Sequence, residues 1–182
     1  ASARSQGVEF DGALRVTDNF DLTFSGAYTD FEFLDYKNAG CTNAQITQAG
    51  GSAFTWANVL YLNDLTGRTN QDTPEWTFNI GGRYEQPIGD YMLTFTADAY
   101  STDDYFISGD LDPNLVQDGF TKYDASIEFG PYDGNWNIAL IGRNLSDEYT
   151  ASYGNDTPLF PQAFQVFVQR PRTIALRASM DF

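Results

Sequence analysis

Residues 102–114, Thr-Asp-Asp-Tyr-Phe-Ile-Ser-Gly-Asp-Leu-Asp-Pro-Asn, hold four aspartates and no basic side chain. Asp110, Asp112 and Asn114 share the i, i+2, i+4 spacing with which side-chain oxygens of alternate residues begin to surround a calcium ion. The pattern then stops. Leu115, not glycine, stands at the sixth position, and no glutamate closes the loop. The residues alone favour a solvated acidic loop, with calcium as the weaker alternative.

Other chemistry is excluded by what is missing. The sequence has no histidine and one cysteine. A Ser-His-Asp triad, a Cys-His pair, a zinc site of His and Cys, and haem ligation by His each lack an obligatory part. Carboxylate-only metal chemistry stays open but has no supporting motif, so neither an enzyme nor a cofactor is expected. Cys41, in Gly40-Cys41-Thr42, is either a tolerated surface thiol or half of a disulfide whose mate lies elsewhere. A net charge of −15 repels phosphate backbones and argues against nucleic acid.

The elements that would carry these loops alternate strictly. Val8, Phe10, Leu14 and Val16 are interleaved with Glu9, Asp11 and Arg15; Trp76, Phe78, Ile80 and Tyr84 with Thr77, Asn79, Arg83 and Glu85. The same period of two recurs over 20–28, 91–99, 122–129, 136–143 and 173–182, which predicts seven strands with one apolar and one polar face. Turn residues join some neighbours directly, at 17–19, 87–90 and 131–135. Between these tight turns come long polar connections, at 34–73, 102–118 and 146–170. Residues 54–62 are expected to form a structured element within the first of them, helix or strand.

Long loops at one end and short turns at the other are the layout of a transmembrane barrel. No apolar run approaches the roughly 20 residues of a spanning helix, so any crossing must be by strands. Phe20, Tyr84, Tyr91, Phe129, Trp136 and Phe182 place aromatic rings near the turn ends of the apolar face, as in an interfacial girdle. The other face carries charges of both signs, which suits a wide, polar lumen. Bacterial barrels have even strand numbers, so seven strands are expected to be part of a larger one. The opening Ala1-Ser2-Ala3-Arg4 is neither an initiator Met nor a signal peptide, which fits a missing N-terminal part.

Three segments carry a resemblance. Residues 171–182, Pro-Arg-Thr-Ile-Ala-Leu-Arg-Ala-Ser-Met-Asp-Phe, resemble the last strand of TonB-dependent receptors, with its terminal Phe. Residues 142–149, Gly-Arg-Asn-Leu-Ser-Asp-Glu-Tyr, are similar to that family's N-L-x-D-x-x-Y stretch, and residues 3–10 to its S-x-G-x-E strand. The resemblance implies that residues 1–182 are the C-terminal portion of a 22-strand outer-membrane barrel whose plug and earlier strands lie outside this chain. It implies TonB-energised import of a scarce nutrient, such as a siderophore, cobalamin or an oligosaccharide. It makes Phe182 a signal to the barrel-assembly machinery. It also makes Trp56, Tyr61, Asp103, Asp104, Tyr105, Tyr153 and Phe160 candidate ligand contacts, although loop-on-loop packing accounts for the same rings.

Three other classes compete: a small autonomous outer-membrane barrel, a barrel-embedded hydrolase, and a soluble ligand-binding β-sandwich. The odd strand count disfavours the first and the lack of histidine the second. A sandwich would cover the apolar face with a second sheet. A chain of seven strands by itself is further expected to self-associate, because its two outermost strands offer unpaired backbone groups.

Overall fold

The computed structural model describes residues 1–48, 62–157, 160 and 162–181. Along the chain lie β1 (Ser2–Thr17), β2 (Phe20–Asp35), β3 (Ala39–Gly40), a short helix α1 (Asn43–Gln48) and β4 (Leu62–Asn63). Then come β5 (Trp76–Ile88), β6 (Tyr91–Thr102), β7 (Tyr105–Phe106), β8 (Val116–Gln117) and β9 (Phe120–Pro131). The last four are β10 (Trp136–Arg143), β11 (Ala151–Asp156), β12 (Phe164–Val168) and β13 (Thr173–Met180). The expected element at 54–62 lies outside the described residues but for its last residue, Leu62, which opens β4.

The seven alternating segments are the seven strands of one antiparallel sheet, in the order β1-β2-β5-β6-β9-β10-β13. Each long strand pairs with the next long strand in the chain. Tight turns make this possible: Gly89 and Gly134 take φ of 61° and 75°, a left-handed backbone that glycine adopts without steric cost. Register then follows from the faces. Leu14 stands opposite Leu22, Leu22 opposite Gly82, and Leu140 opposite both Ile127 and Leu176. A slip of one residue would turn every one of these side chains to the other face.

Small and large residues alternate across the apolar face. The Phe24 ring covers Gly12 and the Phe10 ring covers Gly26, so each glycine makes room for the ring opposite. At the turn end Tyr91 stacks on Phe129 with centroids 5.2 Å apart, and Trp136 lies 6.1 Å from Tyr91. A second aromatic group marks the loop end, where Tyr28 lies 4.8 Å from Trp76 and Trp76 stacks on Phe78. Between the two rows the aliphatic side chains are bare: Leu14 is 55% exposed, Leu140 49% and Leu176 74%. No second sheet covers this face among the described residues, which removes the β-sandwich.

The polar face pairs its charges, across strands where Arg15 donates to Asp21 (3.1 Å) and Arg177 to Glu128 (3.2 Å), and along β5 where Arg83 donates to Glu85 (2.6 Å). These are solvent-exposed pairs that add little stability.

The buried core lies elsewhere. Ala39, Leu65 and Leu111 pack together with Phe33, Tyr36 and Phe106 around them. Ile107 and Leu115 are buried nearby in sequence, where a side chain on Gly154 would collide with both. All of these except Phe33 belong to the long connections. The connections expected to be merely polar are thus folded, through the two-stranded sheets β3/β4, β7/β8 and β11/β12.

Candidate functional site at the loop end of the sheet

Backbone hydrogen bonds tie the connections to one another and to the strand ends. Thr29 N–H donates to Glu75 O (2.8 Å), Asp103 N–H to Trp76 O (3.0 Å), Asp72 N–H to Phe106 O (2.9 Å) and Gly154 N–H to Ile107 O (2.8 Å). Ala151 N–H donates to the Gln117 side-chain oxygen at 2.7 Å. The loop end is therefore a built cap, and two clefts open in it.

The larger cleft, about 370 Å³, runs between the tip of β2, residues 69–75 and residues 103–106. Asp30, Glu75, Asp103 and Asp104 supply carboxylates; Phe31, Tyr105 and Phe106 supply ring faces. Arg68 sits 5.7 Å from the Phe106 ring centroid and so braces one aromatic wall. Burial pushes the Tyr105 phenol above its ordinary pKa, with the charges of Tyr100 and Asp72 adding to it. Tyr105 therefore stays a neutral hydroxyl that can both donate and accept at physiological pH. The cleft offers stacking surfaces edged by hydrogen-bond acceptors.

Three of the residues expected to touch ligand, Asp103, Asp104 and Tyr105, are thus brought together, along with Asp30 and Glu75, which nothing in the local sequence singled out. Tyr153 is not in either cleft. Its ring lies 5.9 Å from Phe167 across the β11/β12 hairpin. Phe160, 64% exposed, sits in the turn of that hairpin. Trp56, Tyr61 and Phe182 lie outside the described residues.

The smaller cleft, about 260 Å³, is lined by Asn43, Ala44, Asn114, Asp156, Gln162 and Phe164. Here the structure corrects the expectation of a solvated acidic loop, because Asp112 is wholly buried, at 0% exposure. Its Oδ1 accepts both the backbone N–H and the Nδ2 of Asn114 (2.8 Å each), and its own N–H donates to Asp110 Oδ1 at 3.3 Å. The alternate spacing of Asp110, Asp112 and Asn114 closes Asx turns, with Leu111 at φ 53° between them. No group of three His, Cys, Asp or Glu that could hold a metal exists among the described residues. Asp156 reaches this place from β11 and accepts from Asn43 N–H at 2.6 Å. Cys41, half-buried two residues before Asn43, has its thiol pushed up in pKa by burial, which makes it a poor nucleophile.

The family model described as TonB dependent receptor-like, beta-barrel, matches residues 1–145. The chain belongs to this TonB-dependent receptor family. Among curated proteins, none matches this sequence. Solved structures of similar fold include the ferric yersiniabactin uptake receptor FyuA from Yersinia pestis, at a TM-score of 0.74 and 17% identity over 99% of this chain. BauA, the ferric preacinetobactin receptor from Acinetobacter baumannii, gives 0.66 and 17% over 99%. The ferric citrate transporter FecA gives 0.62 and 17% over 99%. The chain spans 24%, 22% and 24% of those three proteins, in that order. At such identities the likeness is one of fold: an open antiparallel sheet that corresponds to part of a TonB-dependent barrel wall.

Proposed function

We propose that residues 1–182 are a C-terminal wall segment and mouth of an outer-membrane receptor that imports a ferric chelate with energy from TonB. One observation carries the proposal: a seven-stranded open sheet with a bare apolar band between two aromatic rows, capped at one end only by folded loops. Lipid is the solvent that such a band fits, and the missing strands of the same barrel are the partners that its edges fit. The iron complex is taken from the solved receptors of like fold, all of which handle ferric complexes. Plug, TonB contact and barrel closure belong to the remainder of the protein.

In this role the larger cleft is a contact for the incoming chelate. Tyr105 and Phe106 stack on a planar or catechol-like group, while Asp103 and Asp104 accept hydrogen bonds from its donors. The test is uptake of ⁵⁵Fe-loaded siderophores by cells whose own copy is deleted and replaced by full-length wild type or Tyr105→Ala. Wild type restores TonB-dependent uptake of one chelate class. Loss of a stacking platform at about 1–2 kcal/mol, a typical truncation cost at a contact, raises the half-saturating concentration roughly ten-fold, with surface levels unchanged. Uptake that is independent of both TonB and the receptor overturns the proposal.

A further inference from the structure

Only three buried side-chain polar atoms among the described residues lack a hydrogen-bond partner: Asn43 Nδ2, Asp112 Oδ2 and Asp156 Oδ1. Residues from three separate connections supply them: Asn43 from α1, Asp112 from the turn between β7 and β8, and Asp156 from the end of β11. Native structures rarely leave buried carboxylate oxygens unpaired, and each one points to a group that belongs there. Asp112 is the decisive member, since it is wholly buried and has one oxygen satisfied and the other bare.

The surroundings narrow what the group is. Among the described residues no arginine or lysine lines the cleft, so none of them serves as the cation. Asn43, Asn114 and Gln162 bring amide oxygens, which a hard cation accepts as readily as carboxylates, and the assignment of Nδ2 and Oδ1 within an amide exchanges by a simple flip. The cleft of about 260 Å³ leaves room for water to complete a coordination shell.

We infer that the loop cap binds a calcium ion between Asp112 and Asp156, with amide oxygens and water as the remaining ligands, and that this ion clamps the three connections together. Two carboxylates with neutral oxygens make a ligand set that calcium accepts and that a thiol- or imidazole-seeking metal does not. The inference stands independently of which nutrient is imported.

Asp112→Asn and Asp156→Asn test it cleanly, because each keeps the acceptor oxygen already in use and replaces only the bare one. The intact receptor, purified in detergent and freed of metal with EGTA, is titrated with CaCl₂ in a calorimeter, and loop protection is followed by limited proteolysis. Wild type takes up one more equivalent of Ca²⁺ than either variant, or binds it at least ten-fold more tightly, and Ca²⁺ slows cleavage in residues 36–48 and 103–119. Asp147→Asn, whose carboxylate pairs with Arg172 elsewhere, titrates like wild type. If Asp112→Asn fails to fold, Asp156→Asn and the wild-type titration decide. Identical calcium titrations for wild type and Asp156→Asn overturn the inference. So does a Ca²⁺-insensitive wild type whose cap Asp156→Asn tightens, since that marks a shared proton in place of the ion.

Discussion

Asp156 shows how one residue couples the cap to pH. Its folded-state pKa is raised, first by burial and then by Asp110 and Asp112, so the folded cap holds the proton more tightly than the open chain does. The sign follows from linkage. The stabilisation is fully present below the ordinary carboxylate pKa and is lost as pH rises through the raised folded value. In EGTA, hydrogen exchange at the amides of Asn43 and Gly154, corrected for intrinsic rates, should therefore quicken as pH is raised from about 4 towards neutrality. Substitution of Asp156 by Asn should remove that pH dependence. A protection factor that rises with pH would show that the carboxylate is stabilised in the fold, contrary to its surroundings. Nothing in the sequence near Asp156 announces this role. Asn43 and Asp156 are 113 residues apart, and only the closing of the cap brings them together. The alternate spacing of Asp110, Asp112 and Asn114 did point to this loop, although it closes turns and leaves a buried Asp112 oxygen without a partner.

At the scale of elements, the two faces of a strand should tolerate charge very differently. Leu176 of β13 stands opposite Leu140, midway between the aromatic row at Trp136 and the loop end, and is 74% exposed on the apolar face. Leu176→Arg should cost roughly 2–4 kcal/mol when the intact receptor folds into lipid, as for a charge near a bilayer midplane. Ser179→Arg, on the polar face beside Asn137, should cost little. Urea titration of vesicle-folded protein measures both, and equal costs would remove the bilayer from the interpretation. The seven long strands were legible because one apolar face and one polar face force a period of two. Their loop-end limits were not. β1 begins at Ser2 and β2 runs on to Asp35, past the aromatic row, where Arg4 pairs with Glu32 and Gln6 with Asp30. There Asp30 and Glu32 continue the face that carries Phe24 and Tyr28, while Phe31 and Phe33 stand on the opposite face, so the hydrophobic pattern changes sides while backbone pairing continues. The β3/β4 and β7/β8 hairpins of the cap were invisible for a related reason: two-residue strands are too short to show a period.

For the whole molecule, the sheet has two ends. Among the described residues β1 and β13 each pair on one side only, and the apolar band between the aromatic rows has no protein cover. The separate 182-residue chain should self-associate in detergent-free buffer by strand addition at these edges. The net charge of −15 opposes this, but screening limits charge repulsion to about 8–10 Å at ordinary salt, whereas edge pairing acts at contact. Residues 163–168 add little to the hazard expected of a β-prone run, because Phe164–Val168 already pairs with β11 inside the cap. Sedimentation velocity decides the matter, and a monodisperse folded monomer would mean that the sheet closes on itself.

Pairing only between successive long strands has a consequence for how such a wall can change size. Each long strand of the sheet touches the one before it and the one after it, and no strand of the sheet reaches across. Removing or duplicating a hairpin such as β5–β6 would leave every other register intact and alter only the circumference. The sheet is in this respect a modular ribbon, lengthened or shortened two strands at a time, in which the circumference is set by counting and the character of the rim by whichever loops each added hairpin carries to it.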